Sequence, residues 1–384
     1  MNDTVKFLDT CWKNLPREEM RGFEGKSWIY QVAEQSSKGI NTIKSIVDFW
    51  DIFILEDFEI HTIIDETDRI LTQQGNYQHD SSQIDLHTLG FYLPYVFSND
   101  ARWGIYLNEP AILNIAAKIY LTLDKSLNQL TFAQFLRVIF EFVLIHELEH
   151  HAVERYGAYC HAINSKMNYV TSMLNRHNAT NSFLEVNEAL ATAREMDISM
   201  LKRRTAKHIT LGGGTNLEFE LNRILSVWEK VPLPWPYSNW VRYQNNLGDG
   251  FRDLVVSMNE SIDSLPVMQV CDQEAFRLHQ QVPVRFLHIS YIVRKQLVDA
   301  CFRIVRLDVK KVVKHINGLI RKNRIRGLEL VTGKGHPKTI KRPGYRSVDI
   351  DDNKWDKVDY DIIKQIAFIL DLDPSDYVLE VQSL

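Results

Sequence analysis

The 384-residue sequence predicts a predominantly helical α+β protein. Three observations point to it. Long stretches with few breakers carry apolar residues at mixed three- and four-residue spacing. Strand-like runs are short and isolated between them. The last eighty or so residues read helix, three short strands, helix.

Taken in order, residues 1 to about 75 read as helical, including "KGINTIKSIVDFWDIFILEDFEIHTIIDETDRILTQQ", and a polar break follows at 73–83. A short strand is expected around Gly104–Leu107, then a helix from about Pro110, a favoured first-turn residue. "LTFAQFLRVIFEFVLIHELEHHAVERYGAY" reads as a buried helix, with Thr131 as N-cap and Gly157 as its stop. Another helix starts at Asn181 or Ser182. "LGGGTN" at 211–216 is a loop, and 231–243, punctuated by prolines, is a surface crossing. More helix is expected around Leu254–Ile262, and 282–293 reads as a strand. No repeat or low-complexity tract is visible.

With 45% hydrophobic and 11% aromatic residues, the chain can bury a large core in two or three domains. The net charge of -4 gives no whole-chain argument for nucleic acid or membrane. Cys11, Cys160, Cys271 and Cys301 form no CxxC pair and are expected to be reduced core thiols. The N-terminal residues lack a basic segment followed by an apolar one, so no secretory signal is expected. Phe132–Ile145 is interrupted by Gln134, Arg137 and Glu141 and is too short to span a bilayer. A cytoplasmic protein without a membrane partner is the expectation.

Charge is unevenly placed. From Arg303 to Arg346, fourteen Lys or Arg face only Asp308 and Glu329, and from Asp349 onward ten acids face three lysines. Three regions are expected: a helical one over 1–83, a second domain over 84–302 and a basic domain over 303–384.

The sharpest motif is "HELEHH". His146 and His150 are four residues apart, so both imidazoles leave one helix face about a turn apart and can reach one zinc ion. Glu147 beside them can hold a zinc-bound water and take its proton. Glu188 in "LEVNEALATA" is the expected third ligand, with Ala189, Ala191 and Ala193 allowing close packing; Glu185, His161 and His177 are its rivals. His151 points about 100° away from His150 and is expected to partner a carboxylate instead. Tyr156, Tyr169, His177 and Arg194 are open candidates for stabilising an oxyanion.

The blocks "GIYLNEPAILNIAAK", "VLIHELEHHAV" and "NEALATA" resemble the gluzincin-type metallopeptidases over roughly residues 90–200. That resemblance implies a zincin-like domain with Zn2+ on His146, His150 and Glu188. It also implies hydrolysis of peptide bonds in a protein or peptide substrate, with Glu147 as general base. The order at 308–378 and the turn "GLELVTGKGHPKTI" resemble HicA-type mRNA interferase toxins. That likeness implies a double-stranded-RNA-binding-like αβββα fold and RNA as a partner through Lys334, His336, Lys338, Lys341 and Arg342. His336 would be the catalytic group if the domain cleaves RNA. Together the two resemblances imply a bacterial stress or conflict protein. A nucleic-acid-binding protein or ribonuclease toxin with a structural or degenerate zinc site is the alternative.

Overall fold

The computed structural model describes residues 39–53, 55–73, 89–94, 104–123, 129–163, 182–209, 211, 216–230, 237–257, 282–287, 289, 291–301, 305–332, 337–351 and 355–384. In chain order these form α1 (Gly39–Trp50), α2 (Asp57–Gln73), β1 (Gly90–Leu93), β2 (Gly104–Asn108), α3 (Glu109–Thr122) and α4 (Phe132–Ile163). Then come α5 (Ser182–Glu195), α6 (Ile198–Thr205), α7 (Leu217–Trp228), a 3-10 turn (Tyr237–Arg242), α8 (Leu247–Ser257), β3 (Val284–Leu287) and α9 (Tyr291–Cys301). The C-terminal part adds β4 (Leu307–Asp308), α10 (Val309–Arg321), β5 (Glu329–Thr332), β6 (Lys338–Lys341), β7 (Val348–Ile350), β8 (Lys357–Val358), α11 (Tyr360–Ile369) and α12 (Pro374–Gln382). The protein is mostly helical, with small sheets. No helix among the described residues is long and apolar enough to cross a membrane.

The chain divides into two compact units. Unit 1 comprises Met1–Ile43, Ile70–Leu130 and Gln134–His288; unit 2 comprises Lys44–Arg69, Thr131–Ala133 and Ile289–Leu384. Unit 2 is thus wider than residues 303–384. Phe53 bridges Val305, and the Arg306 amide donates to the Ile52 carbonyl at 2.6 Å, tying the early segment to the late one.

In unit 1, α4 is the central element. Its residues from Val138 to Ile145 are all buried, as the all-round apolar run requires. Phe142 packs edge-on against Trp228, and Phe140 lies against Phe286. Burying each such side chain stabilises the fold by about 1.5–3 kcal/mol. The helix does not stop at Gly157 but continues to Ile163. An interior glycine costs only about 1 kcal/mol relative to alanine, too little to end a helix by itself.

A three-stranded sheet, ordered β1-β2-β3, lies beside α4; β1 is antiparallel and β3 parallel to β2. The strand expected at 104–107 is the middle one. β1 escaped sequence reading because four residues carry too little periodicity. A Cβ at Gly90 would lie 3.0 Å from the Tyr106 carbonyl and 3.2 Å from Val143, so a larger residue there would have to push its neighbours by a few tenths of an ångström. The strand expected over 282–293 ends at Leu287, and α9 begins at Tyr291.

In unit 2, Asp308 caps α10 by accepting from the Lys311 amide, and Val309, Val312, Ile316 and Leu319 turn one apolar stripe inward. β5, β6 and β7 form an antiparallel meander, and β4 pairs with β8. The expected helix and three strands are therefore present in order, with the two-residue β8 added before the closing helix. The closing helix, expected as one piece, is two. Asp371 takes a left-handed φ of 56°, Asp373 caps the next helix through the Ser375 and Asp376 amides, and Pro374 starts it. Cys301 is a buried free thiol.

Candidate metal centre

α4 and α5 meet through side chains at His146, His150 and Glu188. His146 and His150 leave α4 one turn apart, with Nε2 atoms 3.1 Å from each other. Glu188 on α5 brings Oε2 to 3.4 Å from His146 Nε2 and 3.3 Å from His150 Nε2. The His146 and Glu188 side chains are 7% and 6% exposed and that of His150 is 11% exposed, and together they form a cluster that can hold a metal ion. The packing beneath is as the alanines suggest: Ala189, Ala191 and Ala193 are buried.

α5 also supports the outward nitrogens. His150 Nδ1 lies 3.3 Å from Asn187 Oδ1, and His146 Nδ1 lies 2.9 Å from Glu195 Oε2. An acceptor at Nδ1 favours the proton there and would leave the Nε2 lone pair for a metal ion shared with Glu188. Glu188 and Glu195 are seven residues apart, two helical turns, so one stripe of α5 supplies both carboxylates. Glu195 was not anticipated from sequence, although its position two turns beyond Glu188 is a legible signal.

Glu147 stands apart from the other acids of α4. Glu141 is held by Arg137 and Arg204, each at 2.6 Å, and Glu149 by Arg194 at 3.3 Å. Glu147 makes no ion pair among the described residues, and its buried Oε2 has no hydrogen-bond partner. Burial pushes its carboxyl above the usual range against the pull of His146 and His150, with Glu188 and Glu195 adding to the rise. Burial also raises Glu195, against His146. For His146, burial acts downward, but the Glu195 and Glu188 carboxylates prevail and hold it well above its ordinary value. His150 is likewise raised, by Glu188 over the effect of burial.

The other expected residues are distributed as follows. Glu185 accepts a hydrogen bond from Asn239 and is outside the cluster. His177 and Tyr169, and the His161 side chain, lie outside the described residues. His151 Nδ1 sits 2.8 Å from the Tyr92 hydroxyl, which donates to Glu154, so its link to a carboxylate runs through tyrosine. Burial, then Arg155, pushes His151 down to about 3, keeping it neutral. Arg194 is engaged by Glu149 and Asp197, and Tyr156 packs edge-on against Phe251. The segment 231–243 is not simply a surface crossing: Tyr237, Trp240 and Tyr243 are buried, and the Tyr237 ring lies 5.9 Å from that of His146. The aromatic spacing in "WPYSNWVRY" was the available signal.

The C-terminal candidates are not brought together in this way. Lys334 and His336 lie outside the described residues. Lys338 and Lys341 are three apart on β6, so strand alternation sends them to opposite faces, Lys338 sharing that of buried Ile340. Arg342 donates to the Ile369 carbonyl and to Asp371, both at 2.7 Å, and its guanidinium covers the Tyr345 ring. Comparison of the chain with family models, with curated proteins and with solved structures finds no match.

Proposed function

We propose that the chain is a zinc-dependent metallopeptidase whose centre is His146, His150 and Glu188, acting on a protein or peptide substrate in the cytoplasm. The observation that carries this reading is the donor spacing. Tetrahedral zinc with ligands at about 2.0–2.1 Å sets its ligand atoms about 3.3 Å apart. The three separations here are 3.1, 3.3 and 3.4 Å. Two neutral imidazoles and one carboxylate suit that ion, and three protein ligands leave a position for water, as catalytic rather than structural sites do.

Bound there, zinc would polarise the peptide carbonyl and acidify its water. Glu147 then serves as the base, taking the water's proton and passing it to the leaving amine. Its carboxylate is buried and free of arginine, unlike Glu141 and Glu149, which fits a group kept for proton transfer rather than for stability.

Glu147→Gln tests the assignment. The variant should keep its zinc, because Glu147 is not a ligand, while hydrolysis of denatured casein falls by about 10²- to 10⁴-fold. Casein cleavage at the wild-type rate by the zinc-loaded variant would remove Glu147 from the mechanism.

A further inference from the structure

Between Arg321 and Ser347 the sequence has nine Lys or Arg and a single carboxylate, Glu329. The antiparallel pairing of β5 with β6 sorts these residues to the two ends of the sheet. Lys338, at the start of β6, belongs to one end. The loop 322–328, which enters β5, and the turn 342–347, which leaves β6, belong to the other.

At that second end the two segments meet. A Cβ at Gly327, whose φ is +75°, would lie 2.9 Å from Pro343 Cδ. Arg324, Arg326, Lys341 and Arg346 are all exposed there, and among the described residues none of them is ion-paired. A shallow cavity of about 420 Å³ opens between the segments, lined by Gly327, Glu329, Lys341 and Tyr345 among others. The Tyr345 ring meets Phe368 edge-on at 5.6 Å, and Phe368 is 68% exposed. A solvated helix end accounts for cations just past α10, where the last carbonyls attract them. It does not account for Lys341 and Arg346, which arrive from a different segment.

We propose that this end of the sheet binds single-stranded nucleic acid: phosphates meet Arg324, Arg326, Lys341 and Arg346, and a base stacks on Phe368 beside Tyr345. Cations in excess of the nearby carboxylates, Glu329 opposite Lys341 and Asp371 on the Tyr345 hydroxyl, fit a polyanion, and an exposed ring among them fits a polyanion with flat apolar faces. An acidic peptide supplies the charge but not the faces. A duplex keeps its bases stacked inside and offers only backbone. The proposal uses none of the metal-centre residues, so it stands or falls independently of peptidase activity.

The test is fluorescence anisotropy of the full chain with labelled single strands of about 16 nucleotides, one of RNA and one of DNA, beside the RNA duplex and poly-glutamate. The single strands should bind best, and whichever of the two binds tighter names the source. Arg326→Glu, Lys341→Glu and Arg346→Glu combined should weaken binding on the order of 10²-fold. Phe368→Ala, at an exposed position where folding is not at stake, should weaken it by about five-fold or more. Lys338→Glu, at the opposite end of the sheet, should change it by no more than about two-fold. No binding by wild type, a duplex or poly-glutamate bound as tightly as the single strands, or full affinity in the Phe368→Ala and triple variants would each overturn the proposal.

Discussion

The two histidine-bearing regions singled out by sequence differ in what a regular element does with them. His146, Glu147 and His150 lie within five positions of one helix, and α5 closes on them with Glu188 at 3.3 and 3.4 Å. Lys338, Lys341 and Arg342 are as close in sequence, yet strand alternation splits the lysines and Asp371 takes the arginine. Helical i, i+4 spacing carries direction as well as proximity, whereas a density of charge carries neither. A motif whose residues share a face can be read as a site. A basic segment can be read only as a composition until its pairing is known.

The largest effect that sharpens this contrast is within α4 itself. Glu141 and Glu147 are both buried acids, but Glu141 binds two arginines at 2.6 Å. Glu141→Gln should remove the carboxylate that the buried Arg137 and Arg204 share and destabilise the fold by about 3–5 kcal/mol, seen as a lower urea midpoint. A midpoint no lower than that of Glu147→Gln would erase the distinction between a structural and a reactive acid on this helix.

Next comes Glu195, whose carboxylate reaches His146 Nδ1 at 2.9 Å. Glu195→Gln should weaken zinc binding by about 10- to 100-fold in a competition titration against a chelator, because the ligand's orientation is less firmly held. Unchanged affinity would mean that Glu188 and the two imidazoles organise the site without help from the second carboxylate.

The smallest effect belongs to Arg342. Arg342→Ala should cost unit 2 no more than about 1 kcal/mol, since Asp371 is exposed and the surrounding water screens the pair. Its affinity for single-stranded RNA should remain within about two-fold of wild type, because the guanidinium is occupied inside the unit. A large loss of RNA affinity would return Arg342 to the nucleic-acid surface.

Much of the candidate metal centre was legible in advance because its residues sit on two helices with strong patterns. The apolar run before His146 announced a buried helix, and the alanines after Glu188 announced close packing. Glu195 and Asn187 were not singled out, since their roles depend on how α5 lies against α4, a tertiary relation that periodicity within either helix does not encode. Tyr237 was hidden by the prolines before it, which suggest solvent even though Tyr237, Trp240 and Tyr243 after them are buried. β1 has four residues, too few for a pattern, and only its pairing with β2 makes it a strand. In unit 2 the order of elements was readable from turn residues, but the break at Asp371 was passed over because the apolar spacing continues across "DLDPSD" as if one helix ran through. The grouping of residues 44–69 with the C-terminal part rests on contacts such as Ile52 to Arg306, which no local signal foretells.

In the proposed function, His146, His150 and Glu188 together hold one metal ion. Elemental analysis of the purified chain beside His150→Ala and Glu188→Ala tests it most directly. About one zinc per wild-type chain, with little in either variant while both keep the wild-type circular dichroism spectrum, is the predicted result. Wild-type protein without metal after incubation with zinc, or variants that retain it in full, would contradict the claim.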